Sequence, residues 1–369
     1  MIRRYLPHDT QQMALWYERY LSPIALVAGF ILDTLYLTRR VDLWQTNALL
    51  FSYLVLAALG ITLINILETG RIRHPRMITM FPLIPVVVQF AFGGLFSGYL
   101  SLYSRSASLA VSWLFVLALA FLLIGNERFT RLYVRFPFQV GIYFAALFSF
   151  FIFFLPVVFK EIGMLVFLAS GAVSIAVIAL LLAASRLLAP GIARTDWLRA
   201  IGAVAVVYAV INGLYFADII PPLPLSLKDA GVYHSVERQP DGSYLLTAEP
   251  RAWYEEYLRY ETTYHQGATS SAPVYVWSTV FAPTGLSTTI KHQWQRYDEA
   301  ARIWMTTDSV SFPITGGRDG GYRGYTAKAG VSPGRWRVNV LAEGGKLITR
   351  IGFTVVAADA PHSVVEVVR

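Results

Sequence analysis

Seven apolar stretches follow one another over residues 1–220, and the more polar residues 221–369 come after them. A helix that crosses a bilayer needs roughly 20 mostly apolar residues. Each stretch must be helical, because a backbone polar group in hydrocarbon has no water with which to bond. The predicted spans are 21–38, 46–67, 78–100, 107–125, 137–159, 163–184 and 200–220. The pattern predicts an α-helical transmembrane bundle of about seven helices over residues 1–220.

Residues 221–272 form a transition segment between the spans and the end of the chain. Its first residues, Pro221-Pro222-Leu223-Pro224, indicate a stiff, extended connector. Two β-prone runs, 232–237 and 243–247, flank a Pro-Asp-Gly turn and predict a hairpin. The aromatic segment 251–265 predicts a short helix.

Residues 273–369 show the pattern of short strands separated by turns. The strands are predicted at 274–281, 288–297, 302–313, 321–328, 335–342 and 346–356. The glycine pairs of Asp319-Gly320-Gly321 and Glu343-Gly344-Gly345 are expected to form hairpin turns. The spacing is typical of an all-β antiparallel sandwich, immunoglobulin- or fibronectin-like in build.

Basic residues alternate in density between successive loops, which predicts the orientation of the spans. The N-terminus and the even-numbered loops carry 12 of them, whereas the odd-numbered loops carry 4. The cytoplasmic side holds the excess of Lys and Arg, so the N-terminus is expected in the cytoplasm and residues 273–369 in the periplasm, beyond a bacterial inner membrane. A miscounted span would reverse that side. The first span has no small-residue cleavage site and is expected to stay as a helix.

The net charge of +8 does not indicate nucleic-acid binding, because the excess lies in the predicted membrane part. Residues 1–220 hold 16 Lys and Arg against 9 Asp and Glu, whereas residues 221–369 hold 15 against 14. A nucleic-acid-binding domain needs a concentrated basic surface. The chain has no cysteine, which excludes disulfides, thiolate nucleophiles and cysteine-bound metal centres.

Residues 274–357 resemble the bacterial family called domain of unknown function 2914. The residues that carry the resemblance are Val274-Tyr275-Val276, His292-Gln293-Trp294, Gly316 to Tyr325, Gly334-Arg335-Trp336-Arg337-Val338 and Arg350-Ile351-Gly352-Phe353. The multi-span part also looks like the region attached to some members of that family. The resemblance implies a β-sandwich outside the cytoplasmic membrane. It implies no activity and no catalytic residue.

Residues 273–369, the tail of the chain, contain one group of candidate ligand-binding residues, centred on the glycine-rich segment 316–324. Such a segment can cradle phosphate when a helix follows it, but a strand is predicted here, which favours a turn. The tryptophans of the tail could stack on sugar rings or pack in the core of the sandwich, and the core is the commoner place. The candidate ligand-binding residues are Arg318, Asp319, Tyr322, Arg323, Tyr325, His292 and Trp294.

No catalytic, metal-binding or cofactor-binding set is predicted. His234, His265 and His292 lack the spacing of metal ligands, and a structural role is favoured for each. No serine of the sequence is predicted to be a nucleophile with a plausible base beside it.

The predicted spans contain a second group of polar residues, near their outer ends. Ionisable residues within a membrane are expensive and indicate functional sites. The members of this group are Asp33, Arg39, Arg105 and Asp218. They could bind a lipid headgroup or a polyprenyl phosphate, or they could be ordinary interfacial anchors that pair with one another.

Two hypotheses of function follow from these patterns. The first is a non-enzymatic membrane protein that presents a periplasmic β-sandwich to an envelope component, either a glycan, a lipid or a protein. The alternative is a membrane enzyme or lipid transporter with its site at the periplasmic ends of helices 1, 3 and 7. Both hypotheses place the chain in a lipid bilayer.

Overall fold

Six of the seven predicted spans are helices in the computed structural model. The structure describes residues 31, 42–72, 74–106, 109–126, 132–220, 224–250, 262–266, 272–357 and 363–369. Its helices are α1 (Trp44–Glu68), α2 (Pro75–Met80), α3 (Ile84–Ser106), α4 (Leu109–Asn126), α5 (Phe136–Phe159), α6 (Met164–Leu188) and α7 (Arg194–Phe216), with a 3₁₀ turn at Phe81–Leu83. Apart from Ile31, the predicted span 21–38 lies outside the described residues.

Five of the described helices are long and apolar enough to cross a membrane. These are α1, α5, α6, α7 and the segment Phe81–Tyr103, whereas Trp113–Asn126 within α4 is shorter. Their outward side chains are large and apolar: Leu165 is 78% exposed and Leu180 is 70% exposed. A soluble protein would bury such residues, so these helices fit a lipid environment.

Buried amide side chains connect the helices from inside the bundle. Asn65 of α1 donates a hydrogen bond from Nδ2 to Oε1 of Gln139 in α5, over 2.7 Å. Gln139 donates in turn to the backbone oxygen of Tyr133, whose hydroxyl bonds Asn126 of α4. Asn126 Nδ2 reaches the backbone oxygen of Gln89 in α3 over 3.0 Å. Polar side chains therefore join four helices in a setting where lipid offers no bonding partner.

The remainder of the chain folds into strands, and Pro224–Arg369 belong to a second compact unit, which is described by itself. The strands are β1 (Ser226–Tyr233), β2 (Ser235–Arg238), β3 (Tyr244–Ala248), β4 (Thr262–Gln266), β5 (Val274–Phe281), β6 (Ser287–Asp298), β7 (Ile303–Thr315), β8 (Tyr322–Lys328), β9 (Gly334–Leu341), β10 (Leu347–Ala357) and β11 (Val365–Val368). They form a five-stranded sheet in the order β4-β10-β9-β6-β7, and two three-stranded sheets in the orders β1-β5-β8 and β11-β3-β2.

The main core of this unit lies between the five-stranded sheet and the sheet β1-β5-β8. Trp294 and Trp336 of the larger sheet pack with Val274 and Val276 of β5, all of them buried. Inward and outward residues alternate along β6, as the pleat of a strand requires. The larger sheet therefore buries one face and presents the other.

Two local predictions are wrong, because strand pairing with distant parts of the chain overrides the local signal. Residues 262–265, predicted as the end of a helix, lie in β4, which pairs in parallel with β10. Asp319-Gly320-Gly321 was expected to close a hairpin, but β7 pairs with β6 and β8 pairs with β5, in a different sheet. The local signals were those of a helix and a turn, and pairing with distant strands decided the outcome.

Candidate functional site

The presented face of the five-stranded sheet carries a continuous set of amides, arginines and aromatic rings. Cα pairing places Gln293 opposite Asn339 and Gln295 opposite Arg337 on β6 and β9, and Asn339 opposite Arg350 of β10. Residues that face each other across an antiparallel pair lie on the same side of the sheet. We call this surface the polar sheet face and define it by Gln293, Gln295, Trp304, Arg337, Asn339 and Arg350.

Amide oxygens hold the two arginines of the polar sheet face. Arg337 donates from Nε to Oε1 of Gln295 over 2.7 Å, and Arg350 donates from Nε to Oδ1 of Asn339 over 2.9 Å. The Asn339 Nδ2 group donates to both Gln293 and Gln295 over 3.1 Å. Each guanidinium is thus fixed through its Nε, which leaves the terminal nitrogens as the part that can face a ligand.

No carboxylate neutralises this pair among the described residues: neither Arg337 nor Arg350 forms a salt bridge with them. Burial and, to a smaller extent, the positive charge of Arg350 together lower the pKa of Arg337 to about 10. Burial also lowers the pKa of Arg350. Two partly desolvated like charges favour the arrival of an anion.

The neighbouring Arg335 shows the contrasting, neutralised arrangement. Its Nε and Nη2 donate to the two oxygens of Glu299, over 3.0 and 3.2 Å, in a bidentate pair. Its guanidinium also lies 3.8 Å from the ring centre of Tyr297. An incoming anion would have to displace Glu299 here, so Arg335 is a poorer binding group than Arg337 or Arg350.

An aromatic ring lies at one end of the polar sheet face. The Arg337 guanidinium is 4.2 Å from the ring centre of half-buried Trp304, and Tyr297 lies 5.1 Å from Trp304. This cation–π contact adds to the amide bonds that orient Arg337. The face can therefore bind an anionic group beside a flat apolar surface.

Two predicted ligand-binding residues, His292 and Trp294, lie in the core instead of on a surface. Both are almost fully buried. The His292 ring nitrogens bond the hydroxyls of Ser278 and Thr326, over 2.8 and 3.0 Å, and Trp294 donates to Thr326 over 3.1 Å. Burial lowers the pKa of His292 to about 4. The ring is therefore neutral at pH 7 and lies away from the surface that a ligand would reach.

Arg318 and Asp319 lie in the loop between β7 and β8, which packs tightly, whereas Tyr322, Arg323 and Tyr325 lie in β8. A Cβ at Gly316 would lie 1.9 Å from the backbone oxygen of Pro283. The Arg318 guanidinium lies 5.2 Å from the ring centre of Tyr322, and Arg323 donates to the backbone oxygen of Gly242 over 3.2 Å. These contacts serve the connection between sheets, and Asp319 lies in the same loop, before β8.

Tyr325 is the most accessible aromatic of the predicted tail set. It is 43% exposed, and its ring stacks on buried Trp277 with centroids 6.5 Å apart. Its Cα partner on β5 is that same Trp277, so it belongs to the sheet β1-β5-β8. Tyr325 and the polar sheet face therefore lie on different sheets and form no single site.

The predicted membrane cluster is only partly described. Asp33 and Arg39 lie outside the described residues, as does the side chain of Arg105. Asp218 follows the end of α7 with a φ of 58°, in the left-handed region. The structure therefore leaves this cluster as a prediction.

Sequence reasoning missed a cluster in which two histidines bracket one carboxylate. His234 Nε2 lies 3.3 Å from Glu249 Oε1, and His265 Nδ1 lies 2.8 Å from Glu249 Oε2. Burial acts to raise the pKa of Glu249, but the hydrogen bonds from His265 outweigh it and the pKa is lowered. Within the described ranges, no group of three or more His, Asp or Glu has the arrangement of a metal site.

Among the comparisons with known proteins, only the one that covers part of the strand-rich unit supports an argument. No curated protein matches the sequence. An alkylpurine DNA glycosylase from Pseudomonas fluorescens, solved bound to DNA containing an abasic site analog, aligns over 83% of this chain and 98% of its own. The identity is 11% and the TM-score 0.23, so this likeness carries no argument. Residues 287–355, which run from β6 into β10, match the model of the family described as protein of unknown function DUF2914.

Proposed function

We propose that this chain is a bacterial inner-membrane protein that binds an acidic envelope glycan through the polar sheet face of a periplasmic domain. In this proposal seven spans anchor the chain, and the strand-rich unit is an immunoglobulin- or fibronectin-like sandwich. The observation that carries the proposal is the pair Arg337 and Arg350, oriented by amides and without a carboxylate partner among the described residues.

The chemistry of the face favours a glycan over a lipid tail or an apolar protein partner. Its side chains are amides, guanidinium groups and one indole, which suit hydroxyls, acidic groups and the flat side of a sugar ring. Apart from Trp304, the defined face has no large apolar side chain of the kind that the core of a protein interface requires. An acidic sugar would supply the negative charge that the two arginines lack.

The periplasmic location follows from the distribution of basic residues in the loops. A reporter active only in the cytosol, fused after Arg369, is expected to be silent, whereas a reporter that requires export is expected to be active. The opposite pattern would place the strand-rich unit in the cytoplasm and contradict this part of the proposal.

Binding is tested on the full chain in nanodiscs, with uronate-bearing and phosphate-bearing oligosaccharides and neutral oligosaccharides of equal length. We expect acidic oligomers to bind and neutral ones to bind at least tenfold more weakly. Arg337→Gln and Arg350→Gln should each weaken binding about tenfold, because a hydrogen bond to a charged group contributes about 1.5–3 kcal/mol.

Arg296→Gln is the matched control, because Arg296 is exposed on β6 next to Gln295 and therefore lies on the other side of the sheet. It should leave binding unchanged. Equal binding of acidic and neutral oligomers, or equal losses in all three variants, would contradict a glycan site on this face. A chain that retains a protein or a lipid but binds none of the oligosaccharides would also contradict a glycan site.

A further inference from the structure

A cavity of about 780 Å³ lies at one end of the helical unit. Its walls come from the end of α1, the segment that leads into α5 and the segment that leads into α7. The lining residues are Asn65, Glu68, Thr69, Leu132, Val134, Arg135, Phe136, Pro137, Phe138, Gly191, Ile192, Ala193, Asp196 and Arg199. Its volume lies within the range of small-molecule sites, about 300–1,000 Å³.

The charged residues of the lining sum to zero. They are two arginines, Arg135 and Arg199, and two acids, Glu68 and Asp196. Arg199 and Asp196 pair with each other over 3.4 Å. In the described part of the chain, Arg135 and Glu68 form no salt bridge, so one cation and one anion remain available within a single cavity.

Two helices begin at the cavity without a side-chain cap. The residues that precede α5 and α7, Arg135 and Ala193, make no capping hydrogen bond with their side chains. The first N–H groups of a helix and its dipole favour an anion at that position. At α5, the Phe136 N–H and the Arg135 guanidinium form one positive side of the cavity; the second residue of α5 is Pro137, which has no N–H, and the first turn of α7 carries Asp196, which pairs with Arg199.

Asn65 supplies a second, independent indication of a ligand. It is 2% exposed and lines the cavity. Its Nδ2 is used in hydrogen bonds to Ile61 and Gln139, over 2.7 Å each. Its Oδ1 receives no hydrogen bond from the described residues, so this oxygen is the part of the side chain that can accept a donor from a ligand. The Asn65 Oδ1 and the Glu68 carboxylate together form a side of the cavity that accepts hydrogen bonds.

The cavity lies where spanning helices end. It contains the last turn of α1 and the first turns of α5 and α7, three of the helices that are long and apolar enough to cross a membrane. The loop basic residues predict that this is the cytoplasmic side. A phospholipid headgroup occupies this level of a bilayer.

We propose that the cavity binds the headgroup of an aminophospholipid, a phosphodiester joined to a primary ammonium. The phosphate lies against Arg135 and the start of α5. The ammonium donates hydrogen bonds to Glu68 and to Oδ1 of Asn65. The ligand has no net charge, as the lining has none. This inference uses no residue of the polar sheet face and stands apart from the proposed glycan binding.

Three lipids with the same acyl chains test the chemistry, because each lacks a different part. Phosphatidylethanolamine has both groups, phosphatidylcholine has a cation without N–H donors, and phosphatidylglycerol has no cation. The full chain is purified in detergent, mixed with each lipid, and the bound fraction is measured by native mass spectrometry. We expect phosphatidylethanolamine to be retained at least fivefold more than either of the others. Equal retention of the three lipids would overturn the proposal without any substitution.

Substitutions then assign the two ends of the headgroup. Glu68→Gln should remove the preference for phosphatidylethanolamine over phosphatidylcholine, whereas Arg135→Gln should reduce retention of both, each about tenfold relative to the unmodified chain. Arg186→Gln is the control, because Arg186 is an exposed arginine in the last turn of α6 that does not line the cavity. Variants with the unfolding temperature of the unmodified chain that retain lipid as Arg186→Gln does would overturn the assignment.

Free ligands distinguish a lipid site from a site for small phosphates. Inorganic phosphate and soluble phosphoethanolamine are added at millimolar concentration to the lipid-loaded chain. We expect neither to displace the lipid. Displacement by inorganic phosphate as effective as that by phosphoethanolamine would assign the cavity to free phosphate and overturn the lipid proposal.

Discussion

The helical unit and the strand-rich unit place their polar side chains on opposite sides of their elements. In the helical unit, Asn65, Gln139 and Asn126 are buried, while large apolar residues such as Leu165 are exposed. In the strand-rich unit, Trp294 and Val338 are buried, whereas Gln293, Gln295, Arg337 and Arg350 lie on the presented face and are at least partly exposed. Each unit thus turns outward the side chains that its expected solvent accepts, lipid for one and water for the other.

The comparison also separates two uses of a buried hydrogen bond. Between helices, amide bonds join elements that apolar packing alone would not align, because lipid is as apolar as the side chains. Within the strand-rich core, the bonds of His292 satisfy a polar ring that apolar neighbours surround. The first kind of bond specifies which helices meet, and the second avoids the free-energy cost of burying an unpaired polar group. The following substitutions test this difference, from the largest expected effect to the smallest.

Trp294→Ala should lower the free energy of unfolding of the strand-rich unit by about 4 kcal/mol, because it removes a fully buried indole from the core. Trp304→Ala, which removes a half-buried indole from the presented face, should cost about 1 kcal/mol or less. Urea unfolding followed by near-ultraviolet circular dichroism measures both. Similar losses in the two variants would show that the faces of this sheet do not differ as described.

Stability of the strand-rich unit should fall as the pH falls from about 6.5 to about 4. The pKa of His292 is about 4 in the folded chain and 6.5 ordinarily, so the unfolded chain binds a proton in this window that the folded chain excludes. The difference corresponds to about 3 kcal/mol. Glu249, whose pKa is lowered, adds a loss in the same direction at the acidic end.

His292→Gln should flatten this dependence between pH 6.5 and 4, although it lowers stability at every pH. The control is His74→Gln, since His74 is exposed in the helical unit. Unfolding temperatures measured at half-unit steps of pH give the slopes. An unchanged slope in His292→Gln would mean that the buried ring is not the group that titrates.

Gly316→Ala should cost about 2 kcal/mol, because its Cβ would lie 1.9 Å from the Pro283 backbone oxygen and the connection between sheets must shift. Gly320→Ala, in the same loop, meets nothing within 4 Å and should change stability little. The two unfolding temperatures are compared directly. Equal values would contradict the close approach at Gly316.

Gln139→Leu should destabilise the helical unit by about 1 kcal/mol, because it removes the bond that joins α1 to α5. Asn212→Leu should be close to neutral, because among the described residues the Asn212 amide bonds only the Tyr208 backbone oxygen of its own helix. Unfolding of the full chain by a denaturing detergent gives both values. A larger loss for Asn212→Leu would contradict the distinction between bonds that join helices and bonds that stay within one.

Much of the fold could be predicted because its signals are local. Apolar length located α1 and α3 to α7, and alternation located β5 to β10 to within a few residues. The segment 262–266 could not be assigned in this way, because its strand exists through pairing with β10, about 90 residues away. The turn at Asp319-Gly320-Gly321 was located, but its role in joining two sheets depends on which strands pair.

The candidate site was missed because its residues are spread over four strands. The glycine-rich loop, His292 and Trp294 have residue types that suggest ligand binding. In the structure, however, the loop packs tightly and the two side chains are buried. A usable signal was present: Gln293 and Gln295, like Arg337 and Asn339, stand two residues apart and so share one face of a strand. Which strands lie side by side could not be read from that spacing.

The outermost strand of the five-stranded sheet, β7, has a consequence for the solubility of the chain. Its Ile303, Met305 and Val310 are each more than two-fifths exposed. An exposed apolar edge strand of this kind promotes pairing with the edge strand of another copy of the chain. Three devices oppose such self-association: a bulge where Thr307 has no partner on β6, an inward-directed Asp308 that bonds Lys328, and Pro313, which cannot donate a backbone bond. Removing all three should convert a monodisperse preparation into one that aggregates edge to edge.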